Sequence, residues 1–227
     1  MVSPRRVTPR SDTLRAMFFK KFRKRLKIRF GPGGRRIIRL HDDLQGLIFV
    51  EESAWLFHAA RGRKRIVEIG SFRGKSCVIL ACGAEAVEGR VTAIDPHQNL
   101  GSVDKTLYGQ ADADEFYSAI ARHNVAHRVT KLKMTSAEAL TRWKGEPIDL
   151  LWIDGDHSYE GIRFDLEKWS PLVRVGGIVA AHDYAHLEEV RRAWREVIES
   201  SGLWGPTGFV RSIAWAERRA SAAGPDT

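Results

Sequence analysis

Acidic and imidazole side chains follow two apolar segments in the second half of the sequence. The stretch WIDGDHSY places Asp154 and His157 directly after one segment, and the stretch GGIVAAHDY places His182 and Asp183 after the next. If these segments are neighbouring parallel strands, their carboxyl ends lie about 5 Å apart, so Asp154 and Asp183 can converge. Two carboxylates repel each other unless a proton or a cation lies between them, and Mg²⁺ or Mn²⁺ suits oxygen ligands. We therefore expect a divalent metal held by Asp154 and Asp183, with helix-capping loop acids as the alternative.

A glycine-rich turn occurs earlier, in the stretch VEIGSFRGKS at residues 67–76. An apolar run that carries Glu68 is followed by Gly70 and Gly74, and then by residues that can open a helix. Parallel strands present small-molecule cofactors to helix N-termini in this way. An ordinary strand-to-helix turn that uses glycine for close packing is the alternative.

The details of the turn favour one type of ligand. A phosphate-binding P-loop has four residues between its glycines, whereas Gly70 and Gly74 enclose only three. A dinucleotide fingerprint requires a glycine where this chain has Phe72. A carboxylate at Glu68 would repel phosphate and attract a positive charge. The turn therefore suits a cationic amino-acid nucleoside such as S-adenosylmethionine.

Two further positions fit a nucleoside. The run Val91–Ile94 ends in Asp95, at roughly the interval after the turn at which an acid receives a ribose diol. Ser136 and Ala137 follow a later apolar run and could reach an adenine edge, although a Ser136 that caps a helix is equally compatible with the sequence.

Short apolar runs alternate with helical patterns from residue 65 onward, which predicts an α/β fold. We expect a Rossmann-like, doubly wound sheet, mostly parallel with a C-terminal antiparallel strand and with helices on both faces. The predicted strands are Arg65–Ile69, Val91–Ile94, Val129–Lys133, Leu150–Ile153, Ile178–Ala181 and Val210–Trp215. The predicted helices are 51–60, 75–85, 114–123, 136–143, 161–171 and 187–201.

The chain of 227 residues is long enough for one substantial core. No apolar run approaches the roughly 18 to 20 residues that span a bilayer, and the N-terminus lacks an apolar signal segment. We therefore expect a soluble, cytoplasmic protein. Cys77 and Cys82 are predicted to be buried free thiols, because their five-residue spacing on one helix turns them apart.

The net charge of +9 is concentrated at the N-terminus. Residues 1–40 carry 14 Lys and Arg and one acid, for a net charge of +13, so residues 41–227 have a net charge of −4. We predict a basic arm at 1–40, a globular domain at 41–217 and a flexible tail at 218–227. Residues 14–30 form an amphipathic helical pattern that suits an anionic membrane surface, with docking on its own domain as the equal alternative and a transit peptide as a third.

The quoted motifs together resemble those of class I S-adenosylmethionine-dependent methyltransferases. The resemblance is greatest to the branch with macrolide-sugar O-methyltransferases and cephalosporin hydroxylase-like proteins, and catechol O-methyltransferase is more distant. The matching stretches are VEIGSFRGKS, TAIDPHQ, DLLWIDGDHSYEGIRFDLEKW and VRVGGIVAAHDY, within about residues 51–215.

The resemblance implies roles for matching positions. It implies that Glu68, Gly70 and Gly74 line the methionine portion of the cofactor, that Asp95 holds ribose, and that His157 is the base. Asp154 and Asp183 would hold the metal of metal-dependent members, with Asp154 also at the cofactor. The full predicted cofactor set is Glu68, Gly70, Ser71, Phe72, Gly74, Ser76, Asp95, Ser136, Ala137 and Asp154.

Two departures separate this chain from those relatives. Tyr184 stands where catechol-type enzymes have an amide after the second acid, which puts a third metal ligand in doubt. Thr135 stands where relatives often carry an acid before the Ser136-Ala137 pair.

These patterns predict an O-methyltransferase acting on a hydroxyl of a sugar, glycan or small natural product, with S-adenosylmethionine, Mg²⁺ or Mn²⁺, and a His157 base. The chain could also form a homo-oligomer. One alternative is a catalytically silent module in which the basic helix binds a membrane or a polyanion. The other is a nucleic-acid methyltransferase, which is disfavoured because the globule is net acidic and no acidic-Pro-Pro-aromatic motif follows Asp154.

Overall fold

The computed structural model describes residue 25 and residues 27–98 and 109–220. The helices are α1 (Gly34–Asp43), α2 (Val50–Ala60), α3 (Lys75–Gly83), α4 (Gln110–Arg122), α5 (Ser136–Arg142), α6 (Tyr159–Trp169) and α7 (Glu188–Val197). The strands are β1 (Arg65–Ile69), β2 (Arg90–Ile94), β3 (Val129–Leu132), β4 (Ile148–Ile153), β5 (Val173–Ala181), β6 (Trp204–Val210) and β7 (Ile213–Arg218).

The seven strands form one sheet in the order β3-β2-β1-β4-β5-β7-β6. Strands β1 to β5 pair with one another in parallel, whereas β7 pairs antiparallel with both β5 and β6. The chain order reverses between β1 and β4, where Ile69 lies beside Ile153 in register. Ligands of doubly wound folds bind in the crevice outside the carboxyl ends of the strands at such a reversal.

Buried side chains cover both faces of the sheet, as the predicted fold requires. One cluster joins α1, α2, α3 and α4 to the sheet and includes Leu56, Leu80 and Phe116. The other joins α5, α6 and α7 to the opposite face and includes Trp169 and Trp194. Strand β4 is buried along its whole length, because it lies between these two layers of helices.

The predicted mixed Rossmann-like fold is confirmed, and the structure corrects one strand. The run Val210–Trp215 was predicted as a single strand, but β6 ends at Val210 and β7 begins at Ile213. Arg211, with φ of +57°, lies in the turn between them. The sheet therefore ends in two antiparallel strands joined by a hairpin, because an apolar run can continue through a tight turn.

Helix α1 was not predicted, because the Gly-Pro-Gly-Gly stretch at residues 31–34 is typical of a hinge. A Cβ atom on Gly34 would lie 1.8 Å from the carbonyl oxygen of Ile28, so the chain packs closely on itself there. Ile37 and Leu40 are 1% and 3% exposed and join the core, and α1 crosses the boundary predicted at residue 40. Most of the predicted helix at 14–30 lies outside the described residues, as do residues 221–227 of the predicted tail; residues 27–29 are helical.

Among the described residues, no helix combines the length and the apolar character needed to cross a bilayer. Both cysteines are buried and free, as predicted.

Candidate active site

A cavity of about 580 Å³ opens at the carboxyl ends of β1, β2, β4 and β5. The predicted site residues that line it are Gly70, Ser71, Phe72, Ser76, Asp95, Ser136, Asp154, His157 and Asp183. The structure therefore brings both motif groups to one cavity. Glu68, Gly74 and Ala137 do not line it.

The turn from β1 into α3 depends on glycine at two positions. Gly70 and Gly74 both have φ of +84°, a conformation that residues with a Cβ atom rarely adopt. A Cβ atom on Gly70 would also lie 2.0 Å from the backbone oxygen of Asp154. The backbone of β1 and that of β4 therefore approach each other at the floor of the cavity, as only glycine allows.

Asp95 organises this turn through backbone hydrogen bonds. Its carboxylate accepts from the amides of Ser71 at 2.9 Å, Phe72 at 2.8 Å and His97 at 2.7 Å. The side chain still borders the cavity. Asp95 thus fixes the position of the turn in addition to the ribose contact predicted from the sequence.

Glu68 lies behind the turn and not in the cavity wall. It is fully buried, and the Ser76 hydroxyl donates a hydrogen bond to its Oε1 at 2.5 Å. Its Oε2 has no hydrogen-bond partner among the described residues. Burial raises the pKa of Glu68 to about 8. Glu68 was predicted to contact the positive charge of the cofactor directly. In the structure it instead accepts a hydrogen bond from Ser76 at the start of α3 and does not line the cavity.

A half-buried lysine supports the same turn from β3. The Lys131 ammonium donates to Ser71 Oγ at 2.8 Å and lies 4.7 Å from the centre of the Phe116 ring. Burial lowers the pKa of Lys131 to about 8. Lys131 was not among the predicted site residues, although a lysine inside an apolar strand pattern is a signal that could have indicated it.

Three potential metal ligands cluster at the other end of the cavity. Asp154, His182 and Asp183 each offer one ligand atom, and these atoms all lie within 4.8 Å of one another. His182 Nδ1 lies 3.2 Å from Asp154 Oδ1 and 3.3 Å from Asp183 Oδ2. Asp183 has a φ of +57°, which is uncommon for a non-glycine residue. Its backbone therefore departs from the regular strand conformation.

His182 is anchored from behind by a buried network. Ser212 Oγ lies 3.0 Å from His182 Nε2 and donates to Glu52 Oε1 at 2.7 Å. Glu52 is fully buried, lies 3.4 Å from His182 Nε2, and also accepts from the backbone amides of Phe49 and Ser212. Although burial opposes the charged form, the carboxylates of Asp154, Asp183 and Glu52 raise the pKa of His182.

His157 faces the same two carboxylates. Its Nε2 lies 3.4 Å from Asp154 Oδ1 and 3.6 Å from Asp183 Oδ2, and its side chain is 14% exposed. Although burial opposes protonation, Asp154 and Asp183 raise the pKa of His157. Burial likewise opposes ionisation of Asp154, yet the imidazoles of His182 and His157 lower its pKa. The cluster can therefore accept and hold a proton on an imidazole.

His182 was noted as following a predicted strand, but no role was predicted for it, and Glu52 was not predicted to belong to the site. His182 directly precedes a predicted ligand, which is a signal that could have included it. Glu52 lies 130 residues from His182, so only the folded chain brings the two together.

The chain has recognisable relatives. A family model described as a methyltransferase domain matches residues 67–184. The uncharacterized protein y4gI of Sinorhizobium fredii is 34% identical over 155 residues, which is 66% of this chain and 16% of that protein. The chain thus spans about a sixth of the length of that relative.

Several solved structures have a similar fold. Cofactor-bound Rv0187 from MTB matches with a TM-score of 0.61 and 20% identity, covering 83% of this chain and 90% of that one. An O-methyltransferase from Bacillus cereus in complex with SAH has a TM-score of 0.59 and 19% identity, covering 81% and 90%. TomG from Streptomyces achromogenes, an O-methyltransferase in complex with SAM, has a TM-score of 0.56 and 18% identity, covering 82% and 89%.

The chain has the fold of these two solved O-methyltransferases. Because the family model spans more than half of the chain, the protein belongs to this methyltransferase-domain family. The predicted membership of the class I S-adenosylmethionine-dependent methyltransferases is confirmed.

Proposed function

We propose that the protein transfers a methyl group from S-adenosylmethionine to a hydroxyl of a sugar, glycan or small natural product. The observation that carries this proposal is the convergence of the glycine-rich turn and the Asp154, His157 and Asp183 cluster on one cavity. The O-methyltransferases of similar fold that were solved with SAM or SAH support the same reaction type.

The cavity wall fits the cofactor in its chemistry. Gly70 and Ser71 border the cavity at the turn, and Asp95 and Ser136 present polar groups further along. We assign the methionine portion to the turn around Gly70 and Ser71, the ribose to Asp95, and the adenine to the region of Ser136. Bound S-adenosylmethionine would supply a methyl group on a positively charged sulfur, which an oxygen nucleophile can displace.

Residues of the protein would then accept the proton of the acceptor hydroxyl and orient the reactants. The acceptor hydroxyl must lose its proton as its oxygen forms the new bond to carbon, and His157 Nε2 can receive that proton. Asp154 and Asp183 would stabilise the resulting imidazolium, because both lie within 3.6 Å of His157 Nε2. Holding both reactants in one cavity supplies further acceleration by proximity.

The ligand cluster also fits a divalent cation. Two carboxylate oxygens and one imidazole nitrogen form a donor set that Mn²⁺ accepts, whereas Mg²⁺ prefers oxygen alone. We propose that Asp154, His182 and Asp183 hold this ion, with Mn²⁺ preferred. An ion there would lower the pKa of the acceptor hydroxyl and fix its approach.

Transfer of label from methyl-tritiated S-adenosylmethionine tests the reaction. The protein would be incubated with Mn²⁺ and a panel of sugars and polyhydroxylated natural products, and the product bond would be identified. We expect a base-stable methyl ether and a loss of at least about 100-fold in rate in His157→Ala. Methyl transfer to nitrogen, or a His157→Ala variant as fast as the wild type, would contradict the proposal.

Binding of Mn²⁺ tests the metal site without relying on activity. Electron paramagnetic resonance of free Mn²⁺ would be titrated with wild type and with Asp183→Asn, which should bind at least about tenfold more weakly. Asp156→Asn, which changes a cavity carboxylate outside the cluster, is the matched control. Equal Mn²⁺ affinity in wild type and Asp183→Asn would refute the ligand assignment, and full activity after EDTA treatment and dialysis would rule out an essential, exchangeable ion.

A further inference from the structure

The buried network behind the metal-ligand cluster has no assigned function. It joins Glu52 on α2, Ser212 in the turn between β6 and β7, and the imidazole of His182 after β5, and these residues are 0%, 1% and 6% exposed. The same residue types form the nucleophilic triads of hydrolases. Here, however, the buried Ser212 hydroxyl donates to Glu52 at 2.7 Å and not to His182, so it does not act as a nucleophile.

Glu52 makes more contacts than a helix cap requires. Its Oε2 accepts from the backbone amide of Phe49 at 2.6 Å, which caps the start of α2. Its Oε1 accepts from the amide of Ser212 at 2.9 Å and from the hydroxyl of the same residue. Glutamate is almost never fully buried unless it is paired. The full burial of Glu52 therefore indicates a role beyond the cap.

The hydrogen bonds around His182 fix which ring nitrogen carries a hydrogen. Ser212 Oγ lies 3.0 Å from His182 Nε2, and its single hydrogen is donated to Glu52, so towards His182 it can only accept. Glu52 Oε2 lies 3.4 Å from the same nitrogen. Because hydrogen donors already face both oxygens of Glu52, this carboxylate is an acceptor as well. Nε2 therefore carries a hydrogen.

The other ring nitrogen of His182 faces the carboxylates of the cluster. Nδ1 lies 3.2 Å from Asp154 Oδ1 and 3.3 Å from Asp183 Oδ2. The backbone of His182 is also held, because its amide donates to the carbonyl oxygen of Ile153 at 3.0 Å. A histidine that binds a metal through one nitrogen commonly donates the N–H of the other to an acceptor, which orients the ring. The network has this arrangement, with Nδ1 on the side of the metal.

We propose that Glu52, acting through Ser212, holds the hydrogen of His182 on Nε2 and so presents Nδ1 as the nitrogen ligand of the divalent cation. The inference rests on the proposed function, because it takes the metal site as given. Glu52 and Ser212 are positioning residues, since they act through His182 and do not line the cavity. Helix α2 and the hairpin between β6 and β7 thereby become part of the metal site.

Nuclear magnetic resonance would identify the ligand nitrogen. Protein with isotope-labelled histidine would be loaded with Zn²⁺, a diamagnetic ion that binds imidazole nitrogen. The signals of His182 would be recognised by their loss in His182→Gln. We expect Zn²⁺ on Nδ1 and a hydrogen on Nε2. Zn²⁺ on Nε2, or an Nε2 without a hydrogen, would overturn the proposal.

The affinity for Mn²⁺ measures what the network contributes to the site. Electron paramagnetic resonance would compare wild type with Ser212→Ala and Glu52→Leu, each of which should bind Mn²⁺ at least about tenfold more weakly. Glu52→Gln keeps an acceptor oxygen and should lose less affinity than Glu52→Leu. Asp149→Asn is the matched control with wild-type affinity, because this buried carboxylate accepts from the amides of Lys64 and Arg65 near the start of β4, at the opposite end of the strand.

The outcomes separate this inference from the proposed metal site. Circular dichroism would establish that each variant is folded, and Ser212→Ala, which removes a single hydroxyl group, decides the result if Glu52→Leu does not fold. If wild type binds neither Mn²⁺ nor Zn²⁺, the metal site and this inference both fail. If Asp183→Asn weakens Mn²⁺ binding while the folded variants at Ser212 and Glu52 keep wild-type affinity, the metal site stands and the role of Glu52 is overturned.

Discussion

Nine buried side-chain nitrogen and oxygen atoms have no hydrogen-bond partner among the described residues, and three of them lie in or directly behind the cavity wall. They are Glu68 Oε2 behind the turn, Asp165 Oδ1 in the cavity wall and His157 Nε2 at the carboxylate cluster. Buried polar atoms are normally satisfied, so each needs a ligand, a proton or a reacting group to explain it.

Glu68 gives a prediction about stability and pH. The folded protein keeps a proton on this residue up to about pH 8, whereas in the unfolded chain it ionises near its ordinary value of 4.5. The stability that Glu68 contributes is therefore complete below about pH 4.5 and is lost as the pH rises towards 8. Glu68→Gln stays neutral, so its free energy of unfolding relative to wild type should rise with pH, by at most about 1.4 kcal/mol per unit.

Urea unfolding at a series of pH values between about 5 and 8 would measure this difference. Glu146→Gln, at an exposed position outside the cavity wall, is the control and should track wild type. A difference between Glu68→Gln and wild type that does not change with pH would contradict the account of a buried, protonated Glu68.

Helices and strands could be predicted from the sequence where their hydrophobic pattern lies within one short segment. Strand β1 was predicted with its observed bounds, and the other parallel strands differ mainly in where they begin or end. Their apolar runs are short and bounded by turns, which favours strands over helices. Helix α1 was not predicted because the Gly-Pro-Gly-Gly stretch before it is typical of a hinge, and the hairpin between β6 and β7 was not predicted because the apolar run continues through its tight turn.

The residues of the site could be predicted from the sequence to about the same extent as the helices and strands. Contiguous motifs pointed to Asp154, His157 and Asp183, which share one cluster. Lys131 and Asp165 were missed, because each stands alone in its own element and gains its surroundings only when the sheet and α6 assemble. The placement of Glu68 behind the turn likewise follows from the direction of its side chain, which motif spacing does not specify.

The turn between β1 and α3 can be tested as an element. Gly70→Ala places a Cβ atom against the backbone of β4 and also strains a positive φ, whereas Gly62→Ala has a similar φ of +75° with no atom of the described chain within 4 Å. We expect Gly70→Ala to lower the free energy of unfolding by at least about 2 kcal/mol more than Gly62→Ala. Chemical denaturation would measure both, and equal costs would show that close approach at Gly70 is unimportant.

Charge is distributed unevenly along the whole chain. Residues 1–40 have a net charge of +13 and residues 41–227 a net charge of −4. The residues that line the cavity, from Gln45 to Asp183, all belong to the acidic part of the sequence. We propose that the arm contacts an anionic membrane surface, and docking of the arm on its own domain is the competing account.

Flotation with vesicles containing phosphatidylserine tests the arm. We expect the full chain to float at low salt, and the Lys20→Glu, Lys21→Glu double variant to bind at least about tenfold more weakly, since each Lys near the surface is worth about 1 kcal/mol. The same two reversals at exposed Lys144 and Lys168 are the matched control. Wild-type protein that stays unbound would favour docking of the arm on its own domain, and a mobility shift with nucleic acid would favour a polyanion partner.

The central claim is that one cavity holds the cofactor while a neighbouring cluster performs the transfer. The most direct measurement is calorimetric titration of the protein with S-adenosylhomocysteine, for wild type, Gly70→Val and His157→Ala. We predict one site per chain in wild type, no measurable binding in Gly70→Val, and wild-type affinity in His157→Ala. The absence of binding to folded wild-type protein, or undiminished binding by Gly70→Val, would contradict this account.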